Sequence, residues 1–189
     1  RALRDIQTHA VTVDNYGGSY NITKFLIEKG RKRLAWIGEW NVTSAQDRLA
    51  GCRDAILDAG LTCDRSLFVD VNDATRGGHE DIVIMNWIDE VLATPQRPDA
   101  IVCGNDSTAI RVLHRLRLAG VAVPDEVAVT GFDDLEEAAR TMPPLTTVRQ
   151  PMERVGEEAA RLLLQQIEKP DAEPQRIVIP VEIVTRESA

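Results

Sequence analysis

Two spacings of apolar residues alternate along the chain. Apolar residues recur every three or four positions, as on one face of a helix, within residues 17–29, 44–59, 77–93, 107–119 and 151–169. Short apolar runs lie between or after these segments, at residues 34–38, 67–71, 100–103, 127–129, 177–179 and 183–184. Because strands that alternate with helices pair in parallel, and apolar strands without polar alternation are covered on both faces, the pattern predicts an α/β fold.

Some helices carry more specific expectations. The second helix should begin with a capping box formed by Ser44 and Asp47. The inward face of the third helix should carry the apolar residues that are in phase, namely Ile82, Met85, Ile88 and Leu92. The fifth helix should have Pro151 at its first position and bury its own apolar stripe, namely Val155, Ala159, Leu162 and Leu163.

The stretch 141–151 differs from the rest of the chain. Pro143, Pro144 and Pro151 surround an extended segment, LTTV, at residues 145–148. Such a segment is typical of a crossover between two lobes.

Polar side chains follow each predicted strand at its carboxyl end. They are Trp40, Asn41, Ser44 and Arg48 after the first strand, then Asn72 and Asp73, then Asn105 and Asp106, and finally Asp133 and Asp134. Open parallel sheets bind ligands at this edge. Because arginine offers a planar fork of donors while Asp and Asn pair with hydroxyls, the set favours a neutral polyol or sugar over a phosphate.

Each of these residues also has a purely structural interpretation. Ser44 is a natural N-cap, and either Asn105 or Asp106 must cap the helix that follows. The pair Asp133-Asp134 is compatible with a simple turn, and Trp40 with ordinary packing. Arg48 lies early in its helix, where its charge opposes the helix dipole, so a structural role is less natural for it.

Composition narrows the functional classes. The 189 residues carry a net charge of −8, which argues against this segment itself gripping a phosphate backbone. The scattered Cys52, Cys63 and Cys103 indicate thiols in a reducing compartment. No apolar run is long enough to span a bilayer, so we expect a cytoplasmic protein. Because the chain opens with Arg1 in mid-pattern, we expect that its natural N-terminus lies further upstream.

Motifs for catalysis are absent from the sequence. It contains no P-loop, no GxGxxG turn, no GxSxG elbow and no HExxH motif. Asp133 and Asp134 could hold Mg²⁺, but no second carboxylate motif supports such a site. We therefore expect a binding module, not an enzyme, with no cofactor and no metal.

A series of segments resembles the lactose-repressor (LacI/GalR) family of bacterial transcription regulators. The segments are GRKRLAWIG (30–38), RLAG (48–51) followed by Ala55, ND (105–106) followed by Ala109, VPDEV (123–127), VTGFDD (129–134), PPLTTVRQP (143–151) and TRES (185–188). They occur in the family's order and spacing over nearly the whole chain, and PPLTTVRQP is the most specific of them.

The resemblance implies a periplasmic-binding-protein-like fold with two doubly wound parallel-sheet lobes. Residues 14–147 would form the C-terminal lobe, 1–13 and 148–182 part of the N-terminal lobe, and 183–189 a return segment. It also implies that the family's helix-turn-helix, hinge and first strands are missing, so that the N-terminal lobe is incomplete in this chain.

The resemblance further implies which residues contact an effector. Arg48 would grip vicinal hydroxyls, Asp133 would accept a hydroxyl proton, Asn105 would pair with ring or hydroxyl oxygens, and Gln150 would sense lobe closure at the crossover. The family usually has a stacking aromatic near Asp73, which this chain lacks. Either Trp40 supplies the stack, or the ligand is unusually polar.

The implied function is effector sensing in a DNA-binding regulator. A small molecule, a sugar rather than a purine, would bind in the interlobe cleft of a homodimer and bias the spacing of its DNA-binding heads on the operator. One alternative is a periplasmic-type sugar-binding protein of a transporter, which shares the fold. A second is a hydrolase that uses Asp133 and Asp134.

Overall fold

The computed structural model describes residues 8–73 and 79–189. Its strands are β1 (Ala10–Val13), β2 (Leu34–Gly38), β3 (Phe68–Asp70), β4 (Ala100–Cys103), β5 (Ala128–Thr130), β6 (Thr147–Arg149), β7 (Arg176–Ile179) and β8 (Glu182–Val184). Its helices are α1 (Asn15–Glu28), α2 (Thr43–Asp58), α3 (Glu80–Leu92), α4 (Asp106–Leu118) and α5 (Met152–Glu168). Single 3₁₀ turns lie at Arg65–Leu67 and Glu136–Arg140.

The largest sheet has four parallel strands in the order β3-β2-β4-β5. Alternate residues of β2 point to opposite faces: Ala35 and Ile37 pack with α3 and α4, whereas Leu34 and Trp36 pack with α1 and α2. Every residue of β2, β4 and β5 is buried. The predicted parallel sheet with both faces covered is therefore confirmed.

A smaller group of elements lies beside this sheet. Strands β1 and β7 form a parallel pair, and α5 packs against both. Strand β6 pairs antiparallel with β8, an arrangement that the alternating pattern did not predict. Bridges from Thr130 to Thr146 and from Asp133 to Arg149 continue the crossover chain alongside the end of β5. The crossover thus joins the two groups at the carboxyl edge of the four-stranded sheet.

Helices α1 and α2 pack unusually close together. A Cβ atom at Gly51 would lie 2.3 Å from the carbonyl oxygen of Tyr16, so only glycine fits there. The hydroxyls of Tyr16 and Tyr20 donate to Asp54 and Asp58 across the same contact. The segment RLAG (48–51) therefore has two roles. Gly51 lets the two helices approach each other, and the side chain of Arg48 extends to the sheet edge.

The capping box predicted at Ser44 and Asp47 is wrong. Helix α2 begins one residue earlier, at Thr43, with Val42 at the N-cap and no side-chain capping bond. The backbone of Val42 is extended, and its carbonyl accepts the first helical bond, from Gln46.

Two predicted helix faces also differ from the structure. On α3, Ile82 and Met85 are each 43% exposed, and Val83, Ile84 and Trp87 are buried in their place. The start predicted at residue 77 lies outside the described residues.

On α5, Pro151 is the N-cap and not the first helical residue, and Leu162 alone of the predicted stripe is buried. Periodicity found the apolar stripe of α5 but could not tell how much of it is covered.

Candidate functional site

The loop after β5 carries two consecutive aspartates in unusual backbone conformations. Asp133 and Asp134 have φ angles of +127° and +58°, a region that non-glycine residues rarely enter. The Asp133 amide donates to the carbonyl of Val148 at 2.8 Å, and the Leu135 amide donates to the Asp106 carboxylate at 2.8 Å. These bonds on either side of the pair hold its strained turn in place.

Arg48 is buried at the carboxyl edge of the sheet and fully oriented there. Its Nε donates to Asn15 at 2.8 Å, and its Nη1 donates to the carbonyl of Gly104 at 2.7 Å and to Asp133 at 3.3 Å. Its guanidinium carbon lies 3.7 Å from the ring centroid of Phe132, a cation–π contact. Among the described residues Nη2 has no hydrogen-bond acceptor, so one edge of the fork is free for a ligand.

Asp133 and Gln150 complete the cluster. The side-chain amide of Gln150 donates to Oδ1 of Asp133, the same oxygen that Arg48 contacts. No described residue donates to Oδ2, and 26% of the Asp133 side chain is exposed. Burial raises the pKa of Asp133, although Arg48 and Gln150 act against that rise. Arg48, Asp133 and Gln150 form what we call the polar cluster, which offers one free donor edge beside one free acceptor oxygen.

Asp134 faces a different environment from its neighbour. Its two oxygens accept from Arg186 and Arg149, each at 2.6 Å. Burial raises the pKa of Asp134, but the bonds from these arginines outweigh it, and the net pKa is below the usual range. Because Asp134 is occupied by two arginines, the two adjacent carboxylates do not act as a pair.

Asp106 is a structural member of the same edge. It is completely buried and accepts from the Thr147 hydroxyl at 2.5 Å as well as from the Leu135 amide. Burial raises the pKa of Asp106, while these bonds oppose the rise. A Cβ atom at Gly131 would lie 2.1 Å from its carboxylate, so Gly131 leaves room for it. Asp106 thereby fastens α4 to the crossover and to the turn after β5.

Two further predicted site residues, Asn105 and Ser44, lie beside the polar cluster. Asn105 caps α4 by accepting from the Thr108 amide at 2.8 Å, and it follows Gly104, whose carbonyl binds Arg48. Ser44 is partly buried one helical turn before Arg48, hence on the same face of α2.

Trp40 and Asp73 lie elsewhere on the rim. They line a depression of about 350 Å³ beside β3, together with Arg65, Ser66 and Asp70. Arg48, Asp133 and Gln150 do not line it. We call this the edge depression.

Sequence reasoning missed one residue that contacts the polar cluster and left two other contacting residues without a role. Asn15 orients Arg48 and is itself fixed by a bond from its amide to the Val13 carbonyl at 3.2 Å. A signal was present, because the β-branched run VTV (11–13) is followed by Asp14 and Asn15, as the later strands are followed by polar residues. The stacking of Phe132 and the carbonyl contact of Gly104 depend on tertiary packing and leave no comparable signal.

Metal-binding groups and membrane spans would indicate other classes of function. Within residues 8–73 and 79–189, no group of three or more His, Cys, Asp or Glu side chains is placed to hold a metal ion. In the same part of the chain no helix is both long and apolar enough to cross a membrane.

The chain is similar to a known domain family and to proteins named as transcriptional regulators and repressors. The family of periplasmic binding protein-like domains matches residues 23–189. The chain is 37% identical over 183 residues to the HTH-type transcriptional regulator CelR of Thermobifida fusca, covering 96% of this chain and 52% of that protein. It is 33% identical over 170 residues to the HTH-type transcriptional repressor PurR of Vibrio atlanticus, covering 89% and 49%. The chain thus spans about half the length of the curated relatives it matches.

Solved structures agree with the sequence relatives. A complex of the transcriptional regulator CelR with cellobiose has a TM-score of 0.84 at 34% identity, covering 97% of this chain and 54% of that one. A regulatory protein of the LacI family from Chloroflexus aggregans has a TM-score of 0.88 at 26% identity, covering 100% and 66%. The resemblance to LacI/GalR regulators and the periplasmic-binding-protein-like fold are therefore confirmed.

Proposed function

The chain belongs to the family of periplasmic binding protein-like domains, and from that premise we propose that it is the effector-sensing domain of a transcriptional regulator. The observation that carries the proposal is the polar cluster of Arg48, Asp133 and Gln150. The relatives CelR and PurR, both named as transcriptional regulators, support it.

The cluster suits a ligand with hydroxyl groups. Nη2 of Arg48 donates to a hydroxyl oxygen, and Oδ2 of Asp133 accepts the proton of a neighbouring hydroxyl. A sugar presents both functions on adjacent carbons, and the CelR structure carries cellobiose. We therefore place a sugar ahead of a purine as the effector. Asn105 and Ser44, which lie beside the cluster, are proposed as additional contacts.

Gln150 connects the polar cluster to the crossover segment. It follows β6 in the crossover, while Asp133 follows β5 in the four-stranded lobe. A ligand that competes for Asp133 changes the contact between these two segments, so its affinity differs between lobe arrangements. We propose lobes at 14–147 and at 1–13 with 148–182, followed by the return segment 183–189. In the regulator, this coupling would alter operator affinity in the cytoplasm through a DNA-binding domain outside this chain.

The groove between α3 and α4 supports a homodimer. It measures about 530 Å³ and its lining is mostly apolar, with Met85, Ile110 and Leu118 on its walls. Asp81 and Arg111 also line it but already pair with each other at 2.7 Å, so the groove offers a second copy its apolar walls and not free charges. We expect Leu118→Glu to shift the chain toward monomer in sedimentation velocity, whereas Leu57→Glu, on the exposed face of α2, should not. A dimer unaffected by Leu118→Glu would place the interface elsewhere.

Two alternatives are weaker. A sugar-binding protein of a transporter would share the fold, but CelR and PurR are both named as transcriptional regulators. A hydrolase acting through Asp133 and Asp134 conflicts with the engagement of Asp134 by two arginines.

A thermal-shift screen tests the proposed function. Mono- and disaccharides, sugar phosphates, nucleosides and purines are each added to the chain, and a ligand at about 100 times its Kd should add roughly 2.7 kcal/mol of stability. We expect a sugar to raise Tm, and Arg48→Ala or Asp133→Asn to remove that rise. The matched control is Arg53→Ala, which removes an exposed arginine from the same helix.

Two outcomes would contradict the proposal. One is a ligand response that persists in both Arg48→Ala and Asp133→Asn, since the binding site would then lie elsewhere. The other is turnover of a glycoside that Asp133→Asn abolishes, since the chain would then be an enzyme.

A further inference from the structure

The edge depression holds an exposed tryptophan beside polar side chains. Trp40 is 39% exposed, whereas Trp36 and Trp87 are buried in the core. Its backbone is fixed, because its carbonyl accepts from the side-chain amide of Gln46 at 2.9 Å. The partly exposed indole presents an apolar surface to solvent beside these polar groups.

The polar groups that line the depression include both hydrogen-bond donors and hydrogen-bond acceptors. The guanidinium of Arg65 donates to no acceptor within the described residues. In the same part of the chain, Asp70 uses one carboxylate oxygen, Oδ1, to accept from the Asn72 amide at 3.0 Å. Ser66, whose hydroxyl donates to Asp64 at 2.7 Å, and Asp73 also line the depression. An aromatic face with a few donors and acceptors around it matches the alternating C–H faces and hydroxyl edges of a sugar ring.

The depression starts at the carboxyl ends of β2 and β3, on the same rim as the polar cluster, and extends along β3, because Phe68 and Val69 also line it. Gly104, which contacts Arg48, directly follows β4. Gly38 is its neighbour at the end of β2, and Asp70 pairs with Gly38 at the end of β3. Strands in a sheet are about 4.8 Å apart, so the ends of β4 and β3 are about 10 Å apart. That span exceeds one sugar ring.

From this arrangement we infer that the edge depression is a second saccharide subsite, and that the effector is a sugar of at least two rings. The inference rests on the proposed function, because the first ring occupies the polar cluster. The second ring stacks on Trp40, and its hydroxyls pair with Arg65 and Asp70. A monosaccharide fills the polar cluster alone and lacks the stacking contact.

Calorimetric titration of matched oligomer series tests the inference. Glucose, cellobiose and cellotriose form one series, and glucose, maltose and maltotriose another, titrated into the wild-type chain and its variants. For the linkage that binds, affinity should rise about tenfold or more from one ring to two. Trp40→Ala should abolish this rise while changing the affinity for glucose less than about twofold, and Trp40→Phe should retain most of it. Leu57→Ala, an exposed apolar truncation elsewhere on the surface, is the control and should change neither value.

The outcomes separate the two proposals. If glucose binds as tightly as the disaccharide, or Trp40→Ala keeps the gain from the second ring, the second subsite is refuted while the polar cluster stands. If no sugar binds, or binding of every length survives Arg48→Ala, the proposed function fails and the second subsite with it.

Discussion

The two groups of strands differ sharply in how completely they are buried. In the four-stranded sheet, β2, β4 and β5 are buried at every position, and helices cover both faces. In the β1–β7 pair, each strand buries a single residue, Val13 and Ile179. Helix α5, which packs on that pair, leaves four large apolar side chains more than 60% exposed, namely Met152, Leu163, Leu164 and Ile167.

The difference shows that an amphipathic pattern does not by itself tell how much of the apolar face of a helix is buried. The apolar stripe of α5 is as clear in the sequence as that of any other helix. Burial depends on what packs against the stripe, and among the described elements β1 and β7 make the main contacts with α5. The stability of the chain should therefore reside in the four-stranded lobe.

Hydrogen exchange should show the largest contrast between the two regions. Amides of β2 and β4 should exchange only on global unfolding, which for an ordinary domain requires about 5–15 kcal/mol. Amides of β1, β7 and α5 should exchange through local opening that is several kcal/mol cheaper, because few apolar contacts are lost. Mass spectrometry of peptic fragments measures both sets, and equal protection of α5 and β4 would show that the two regions do not differ in stability.

A matched pair of leucine truncations should show a smaller contrast. Leu116 of α4 is fully buried and Leu163 of α5 is 62% exposed. Leu116→Ala should lower the free energy of unfolding by about 2–5 kcal/mol, whereas Leu163→Ala should change it by about 0.5 kcal/mol or less. Urea denaturation measures both. A large loss in Leu163→Ala would mean that the exposed face of α5 is covered in solution.

Acid titration of the ion pairs that Asp134 makes between the two regions should show the smallest effect on stability. Asp134 joins the turn after β5 to Arg149 of β6 and to Arg186. Because its pKa in the folded chain is below the unfolded value of about 3.9, its stabilising contribution is complete above that value and is lost as the pH falls through the folded pKa. Asp134→Asn should remove part of the acid-side slope of Tm against pH. An unchanged slope would show that the arginine pairs contribute nothing to stability.

Much of the candidate site was predictable, because strand ends can be located from apolar runs. Arg48 and Asp133 were expected on one rim, and the resemblance implied Gln150 at the crossover; the structure brings the three together. Their role in binding stays a prediction. Trp40 and Asp73 were expected on the same rim as well, but they line the separate edge depression. The order of strands across the sheet, which sets these separations, depends on long-range pairing that local periodicity does not contain.

The pattern of apolar residues by itself determined that the chain alternates strands and helices, and that polar side chains follow the strands at one edge. Local spacing suffices for this, because an element's apolar face reflects its own geometry. The different partners of the adjacent carboxylates of Asp133 and Asp134 follow from the tertiary structure alone. The same residue type occurs at both positions, but arginines 15 and 52 residues further along the chain bind Asp134. Asp133 is left facing Arg48, because the left-handed turn directs the two side chains to different partners.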